Sequence, residues 1–436
     1  MFKIKKTKSQ KIIETIKYVV FSNEFMLRSK RNEKDFTRNR KLPFTYLILF
    51  MLNLVKDTLQ KELTNFMSLL SVSDNSPKKI SKSAFSQSRL KLKPEAFIEM
   101  NDLLVHEFYA DKDFKTWKEF RLLGIDGSTC QLPYSDELSN HYGQIEGNIG
   151  KTFPIAKIST FYDLLNEIIV DSQIAPYKTA ELDLAVKHLD KSKENDLVIL
   201  DRGYPAIWLF FLLSLKSINY VARLQKNFIK EADEFWDSME ESLILEIKNV
   251  PSKSKERLDK QEINFSPFKV RLVKVILDNG EMEVLATSLL DEEKYLSSIF
   301  KGLYFMRWGI EINYDHLKNQ IEIENFTGLT KIAIKQDFSA NMFIANMQSI
   351  IMKDAKKELE KENKNCKYEY KINKNLSLSY MKDRIIKLFI SNDPHYYDKM
   401  VQLFKIEPVP IRDDRKFNRK VSRRKKKYFF NKRRAF

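Results

Sequence analysis

The sequence predicts an α/β fold, and three observations carry that expectation. A wholly apolar run, Leu197–Leu200, stops at Asp201, as a strand buried on both faces does. Residues 267–289, PFKVRLVKVILDNGEMEVLATSL, alternate with period two around the hairpin signal Asn279-Gly280. Two stretches, 298–322 and 334–362, instead repeat their apolar residues at the helical period. The remaining segments fill in around these anchors.

From the N-terminus, residues 42–70 carry helical spacing, with Pro43 suited to a first turn and SVSDNSP closing the run. Ser81 is placed to cap a short helix through Arg89, the KLKP turn breaks it, and a further helix follows from Pro94 to about Tyr109. This is a helix-turn-helix pattern, or a helical hairpin with ordinary polar faces. Lys82, Ser83, Ser86, Gln87 and Arg89 offer side chains able to meet phosphates or base edges. Phe120–Ile125 reads as a strand ending in Asp126-Gly127, where the glycine lets the chain turn; the pair could also be a simple turn. Residues 156–174 are apolar and β-rich, broken at Asn166-Glu167, which reads as a hairpin, and 179–190 as a helix. Asp201 is either a functional group at a strand's carboxyl end or the cap of a helix over 205–216. A strand, 218–224, precedes a charged, β-rich region.

The helix over 298–322 brings four polar residues together. Tyr304, Arg307, Glu311 and Lys318, three, four and seven apart, fall within roughly 60° of one another at helical pitch. Met306, Ile310, Tyr314, Leu317 and Ile321 form an apolar stripe beside them. Such a polar stripe is either a solvated surface or a carboxylate rimmed by cations at the edge of a core.

Charge is unevenly spread. The net charge is +17, yet residues 1–41 carry 13 Lys or Arg against 4 acids and residues 407–436 carry 13 against 3, leaving the middle near −2. Basic ends around a near-neutral body suit a polyanion such as DNA, or serve as solubilising termini. Phe417, Tyr428, Phe429 and Phe430 among the tail's cations could stack on bases. The most apolar run, Phe44–Val55, is shorter than the about 20 residues that span a bilayer. No secretory signal is read, and Cys130 and Cys366 stand too far apart in sequence to imply a disulfide framework, so a reducing cytoplasm is expected. The five histidines lack metal spacing, and no Gly-rich phosphate loop is present among ten glycines.

Tyr304, Arg307, Glu311 and Lys318, preceded by GLY, resemble the YREK signature of transposases of the insertion sequence 4 family. IDGST at 125–129 is similar to that family's first-aspartate motif, DRGY at 201–204 to its second, and SKSAFSQSRLKL at 81–92 to a segment of its N-terminal domains. The resemblance implies an RNase H-like catalytic core interrupted by a β-rich insertion, with a helical N-terminal DNA-binding domain over 1–115. The core's two parts would be 116–224 and 298–405, the insertion 225–297 and the basic tail 406–436. Asp126, Asp201 and Glu311 would be the catalytic residues, holding two Mg²⁺ or Mn²⁺ ions, with Tyr304, Arg307 and Lys318 on the DNA backbone. The implied activity is hydrolytic nicking at terminal inverted repeats followed by strand transfer into target DNA, performed in a homodimeric synaptic complex associated with a bacterial nucleoid and no membrane. A catalytically inactive DNA-binding regulator and a metal-dependent host nuclease are the alternatives.

Overall fold

The computed structural model describes residues 6–38, 40–70, 79–147, 150 and 152–412. The SVSDNSP segment and nearly all of the basic tail, with its aromatic residues, lie outside the described residues. The chain forms two compact units. One contains residues 1–113, 129–156 and 316–436, the other 114–128 and 157–315. Among the described residues no helix is long and apolar enough to cross a membrane.

The first unit is helical. Its longest element, Lys331–Glu362, packs against Lys8–Val20, Glu95–Phe108 and Tyr396–Lys405. Its start is fixed by Thr330, whose hydroxyl accepts from the Ala333 N–H, and Thr7 with Gln10 forms a capping box on Lys8–Val20. The helical stretch expected over 42–70 is two helices, Phe44–Met51 and Leu59–Leu70. Leu54, with φ 52°, lies between them. Ser81 caps Lys82–Arg89 through the Ala84 N–H.

The second unit is built on a sheet. The strands in chain order are β1 (Arg121–Gln131), β2 (Gln144–Glu146), β3 (Thr152–Asp163), β4 (Ile168–Pro176), β5 (Asp196–Leu200), β6 (Asn219–Arg223), β7 (Ser242–Ile247), β8 (Phe268–Ile276) and β9 (Met282–Thr287). Short β2 pairs with the opening residues of β3 inside the first unit, Gln144 opposite Pro154. In the second unit the spatial order is β4, β3, β1, β5, β6, β9, β8, β7. β1, β5 and β6 are parallel neighbours, and β9, β8 and β7 extend the sheet antiparallel from β6. The region expected as a β-rich insertion is therefore an extension of the same sheet, interrupted by helices Lys230–Asp237 and Ser252–Asp259. Gly280, φ 83°, makes the β8–β9 turn where the Asn-Gly pair placed it.

Alternation along the strands sorts the core. Leu122, Leu197, Ile199, Val221, Val273 and Leu285 belong to one apolar cluster, closed by Phe300 and Leu303 of the helix Ile299–Phe305. At the amino end of the β1–β5 pair, Arg121 makes a bidentate bond to Asp196, 2.8 and 2.6 Å, with both side chains buried. Asp196 also accepts from the Lys193 N–H. Removing one partner of such a pair leaves an uncompensated buried charge. Asp196→Ala is therefore expected to destabilise the protein by about 3 kcal/mol, with Asp196→Asn milder. Urea denaturation measures this, and a loss below about 1 kcal/mol would show that the pair does not anchor the sheet.

Candidate active site

The site begins with strand register. The parallel β1–β5 pairing runs from Arg121 opposite Asp196 to Ile125 opposite Leu200. The next residues on the two chains are Asp126 and Asp201, so neighbouring strands deliver both aspartates to the same sheet edge, one strand spacing of about 4.8 Å apart in backbone terms. Leu197–Leu200 are buried, which fixes the depth at which Asp201 emerges.

β1 does not stop at Asp126. It continues through Gly127 to Gln131, contrary to the expected turn. The glycine has a different cause: a Cβ there would meet the Glu181 side chain at 3.1 Å. Asp126 is held by its neighbourhood. Its Oδ1 accepts from the Gly127 N–H at 2.8 Å, and its backbone carbonyl accepts from the Tyr314 hydroxyl at 2.7 Å and the Ser159 hydroxyl at 3.1 Å.

Glu311 arrives on a helix that is broken, not continuous. The expected helix over 298–322 is three pieces, Ile299–Phe305, Trp308–Asp315 and a π-helical stretch His316–Ile321. Bonds of the i to i+3 kind, Arg307 N–H to Tyr304 and Ile310 N–H to Arg307, tighten the junction. Met306, expected in the apolar stripe, is left exposed there, whereas Arg307 is 8% exposed. Gly309 admits Leu164 of the β3–β4 turn, since a Cβ would lie 3.2 Å from its Cδ2, and Ile310 packs over Gly124 of β1. These contacts set Glu311 in the helix's first turn near the aspartates.

Arg307 ties the acids together. Its Nη2 donates to Glu311 Oε1 at 2.7 Å, and its Nη1 lies 3.9 Å from Asp201 Oδ2. The Tyr304 hydroxyl donates to Asp201 Oδ1 at 3.0 Å. Burial works against the Arg307 charge, but Tyr304, Asp201 and Glu311 together raise its pKa above the ordinary arginine value. Burial, then the Asp201 charge, pushes the Tyr304 phenol up. The Asp126 carboxyl is pushed up to about 6, first by burial and further by the Asp201 and Glu181 charges, against the Gly127 N–H and Arg307. Glu283 is raised mainly by burial; it pairs with Arg223 at 2.8 Å while its Oε2 is buried without a hydrogen-bond partner among the described residues.

Among the described residues no group of three or more His, Cys, Asp or Glu is arranged to hold a metal ion. Protein donors engage the three carboxylates instead: the Gly127 N–H for Asp126, Tyr304 for Asp201, Arg307 for Glu311. The guanidinium between Asp201 and Glu311 nevertheless shows that this acidic edge accommodates a cation, and its donor set is all carboxylate oxygen, which suits hard divalent ions.

The other residues singled out from sequence divide. Lys318 sits in the π-helical stretch, within the helical unit. Lys82, Ser86 and Gln87 are exposed on Lys82–Arg89. Arg89 is not available to DNA, and this corrects the expectation. It is 2% exposed, its guanidinium donating to Gln336, Thr327, the Ala333 carbonyl and Asp337. Beside that helix lies a cleft of about 710 Å³ whose lining, among the described residues, includes Arg40, Lys41, Lys79, Lys91 and Gln87 and no carboxylate. Sequence reasoning missed Glu181, Ser159 and Glu283 because nothing in their flanking residues distinguishes them. Tyr314, expected in the apolar stripe, is buried and also gives its hydroxyl proton to the Asp126 carbonyl.

The family described as "Transposase DDE domain" matches residues 117–347. "Transposase InsG for insertion sequence element IS4" of Escherichia coli (strain K12) is 22% identical over 251 residues, covering 57% of this chain and 55% of InsG. The chain thus spans just over half the length of that relative. A solved structure, "Cryo-EM structure of piggyBac transposase synaptic complex with hairpin DNA (SNHP)", superposes with TM-score 0.43 and 12% identity over 90% of this chain and 85% of that one, a likeness too slight to argue from. The family match takes in Asp126, Asp201, Glu311 and the strands and helices that position them, more than half of the 436 residues: the chain belongs to the DDE-domain transposases, of the insertion sequence 4 type.

Proposed function

We propose that this protein is a DNA transposase that nicks the terminal inverted repeats of its own mobile element and joins the freed 3′ hydroxyl to target DNA. The observation that carries this reading is the in-register emergence of Asp126 and Asp201 together with Glu311, which Arg307 ties to Asp201. The order β4, β3, β1, β5, β6, with its parallel centre, supports an RNase H-like core.

Asp126, Asp201 and Glu311 would hold Mg²⁺ or Mn²⁺. Two such ions, when bound, supply Lewis-acid activation of the attacking and leaving oxygens of a phosphodiester. The chain's own residues do the rest. Tyr304 orients the Asp201 carboxylate through its hydroxyl, and Arg307 offsets the repulsion between Asp201 and Glu311 while presenting N–H groups suited to a backbone phosphate. Lys318 would add a second backbone contact. The exposed Lys82, Ser86 and Gln87 and the cationic cleft beside them support DNA binding by the helical unit, as phosphate contacts that set position rather than sequence. A homodimer on paired ends would complete the reaction.

The test is incubation of the protein and Mn²⁺ with DNA bearing the inverted repeats that flank its gene. Cutting confined to those ends, followed by joining, is expected; degradation of unrelated DNA, or binding without cutting, would refute the reading. In the same assay Glu311→Gln is expected to lower cutting by at least about a hundredfold while leaving DNA affinity within a few-fold, measured by gel shift. Cutting retained in this variant would remove Glu311 from the site.

A stability measurement checks the electrostatics independently. The Asp126 carboxyl titrates near 6 in the folded protein and near about 3.9 in an unfolded chain. Between those values the folded state keeps a proton that the unfolded state has released, so stability from this group falls as pH rises from about 4 to 6 and the cost is fully present above. Asp126→Asn in metal-free buffer is therefore expected to raise stability at pH 7.5 by on the order of 1 kcal/mol and to change it little at pH 4. Urea melts at the two pH values measure this; equal effects at both would contradict it.

A further inference from the structure

A buried Ser-His-Asp chain lies against the site and has no part in the chemistry described so far. Asp171 of β4 meets His188 Nδ1 at 2.7 Å, His188 Nε2 meets the Ser159 hydroxyl of β3 at 2.9 Å, and Ser159 donates to the Asp126 carbonyl at 3.1 Å. Ser159 and His188 are fully buried and Asp171 is 8% exposed. Phe161 stacks on the His188 ring, and Gln173 donates to the same Asp171 oxygen.

These three side chains are the residue types of a hydrolytic triad, but their connections rule out that use. The hydroxyl gives its one proton to a backbone carbonyl and reaches no solvent, so it is not an attacking group. His188 bridges the two other side chains, its Nδ1 on the Asp171 carboxylate and its Nε2 on the Ser159 hydroxyl. Burial acts to raise the Asp171 carboxyl, but the His188 bond and charge, with Gln173 and Ser172, bring it below its ordinary value. A buried polar chain of this kind costs desolvation that a similar volume of apolar side chains would not. Its presence calls for a role other than packing.

The Asp126 carbonyl supplies that role. It receives the Tyr314 hydroxyl at 2.7 Å as well as Ser159. Tyr314 lies three residues from Glu311, on the same helix. The peptide of Asp126 is thus pinned between β3, whose serine is backed by His188 and Asp171, and the helix that carries Glu311. Resting on the reading of the site given above, we propose that Asp171, His188, Ser159 and Tyr314 are positioning residues that fix the Asp126 peptide, and so set its carboxylate relative to Glu311 for binding the divalent ion. Groups behind metal ligands commonly control affinity this way, because ligands must be held to within about 0.5 Å.

The test compares full-length protein with Tyr314→Phe, Ser159→Ala and Ser159→Thr. Mn²⁺ binding is read by calorimetry without DNA, and the Mn²⁺ dependence of cutting, DNA affinity and thermal melting are measured alongside. Tyr314→Phe removes one oxygen and keeps the ring, so it is expected to fold. It and Ser159→Ala should each weaken Mn²⁺ binding about tenfold and shift the Mn²⁺ needed for half-maximal cutting by the same factor, with DNA affinity unchanged. Ser159→Thr, which keeps the hydroxyl, should recover most of the loss. Mn²⁺ affinity within twofold of the unaltered chain in folded Tyr314→Phe would overturn the positioning role while leaving the transposase reading intact. If the unaltered chain binds no Mn²⁺ and cuts nothing, the reading of the site falls, and this inference with it.

Discussion

The parallel register of β1 on β5 is the constraint from which the rest of the site follows. Five backbone pairs, closed at one end by the buried Arg121–Asp196 bond, decide which residues leave the sheet together at the other. A slip of one position would turn one aspartate to the face opposite the other, since side chains alternate along a strand. Sheet register, a property of backbone hydrogen bonds and apolar burial, thereby becomes electrostatics: two like charges brought to one edge, one of them buried enough to resist ionising.

Arg307 makes that concentration of charge tolerable. A guanidinium that is 8% exposed would itself be costly to bury, yet among Tyr304, Asp201 and Glu311 its charge is favoured. The break in the helix around Met306 and Arg307 has the same origin. A continuous helix would keep Met306 on the core side; the tight turn exposes it and turns the arginine inward, where the acids are.

What could be read in the sequence was what is written locally. The Leu197–Leu200 run announced both a strand and the aspartate at its end, and the Asn279-Gly280 pair announced its hairpin. The spacing from Tyr304 to Glu311 placed on one face side chains that do meet, through Arg307 and Asp201, even though the helix is broken. What could not be read depends on partners distant along the chain. Gly127 looked like a turn, whereas the space it leaves is taken by Glu181. Arg89 looked like a cation on a short polar helix, whereas Thr327, Gln336 and Asp337, more than 230 residues on, enclose its guanidinium. Ser159, His188 and Asp171 have no signature at all, because only the β3–β4 pairing and the helix Glu181–His188 bring them together.

The division of the chain has a consequence for how this protein can be altered. Neither compact unit is a single stretch of sequence; the backbone passes from one to the other after residues 113, 128, 156 and 315. Two of these crossings interrupt strands, β1 just past Asp126 and β3 just before Ser159, and another follows Glu311 by four residues. A truncation that keeps the whole sheet-bearing unit therefore also carries residues 129–156 of the helical one. Because no contiguous segment is the whole of either unit and nothing else, exchanging one such segment with a relative's leaves at least one unit a hybrid of two parents.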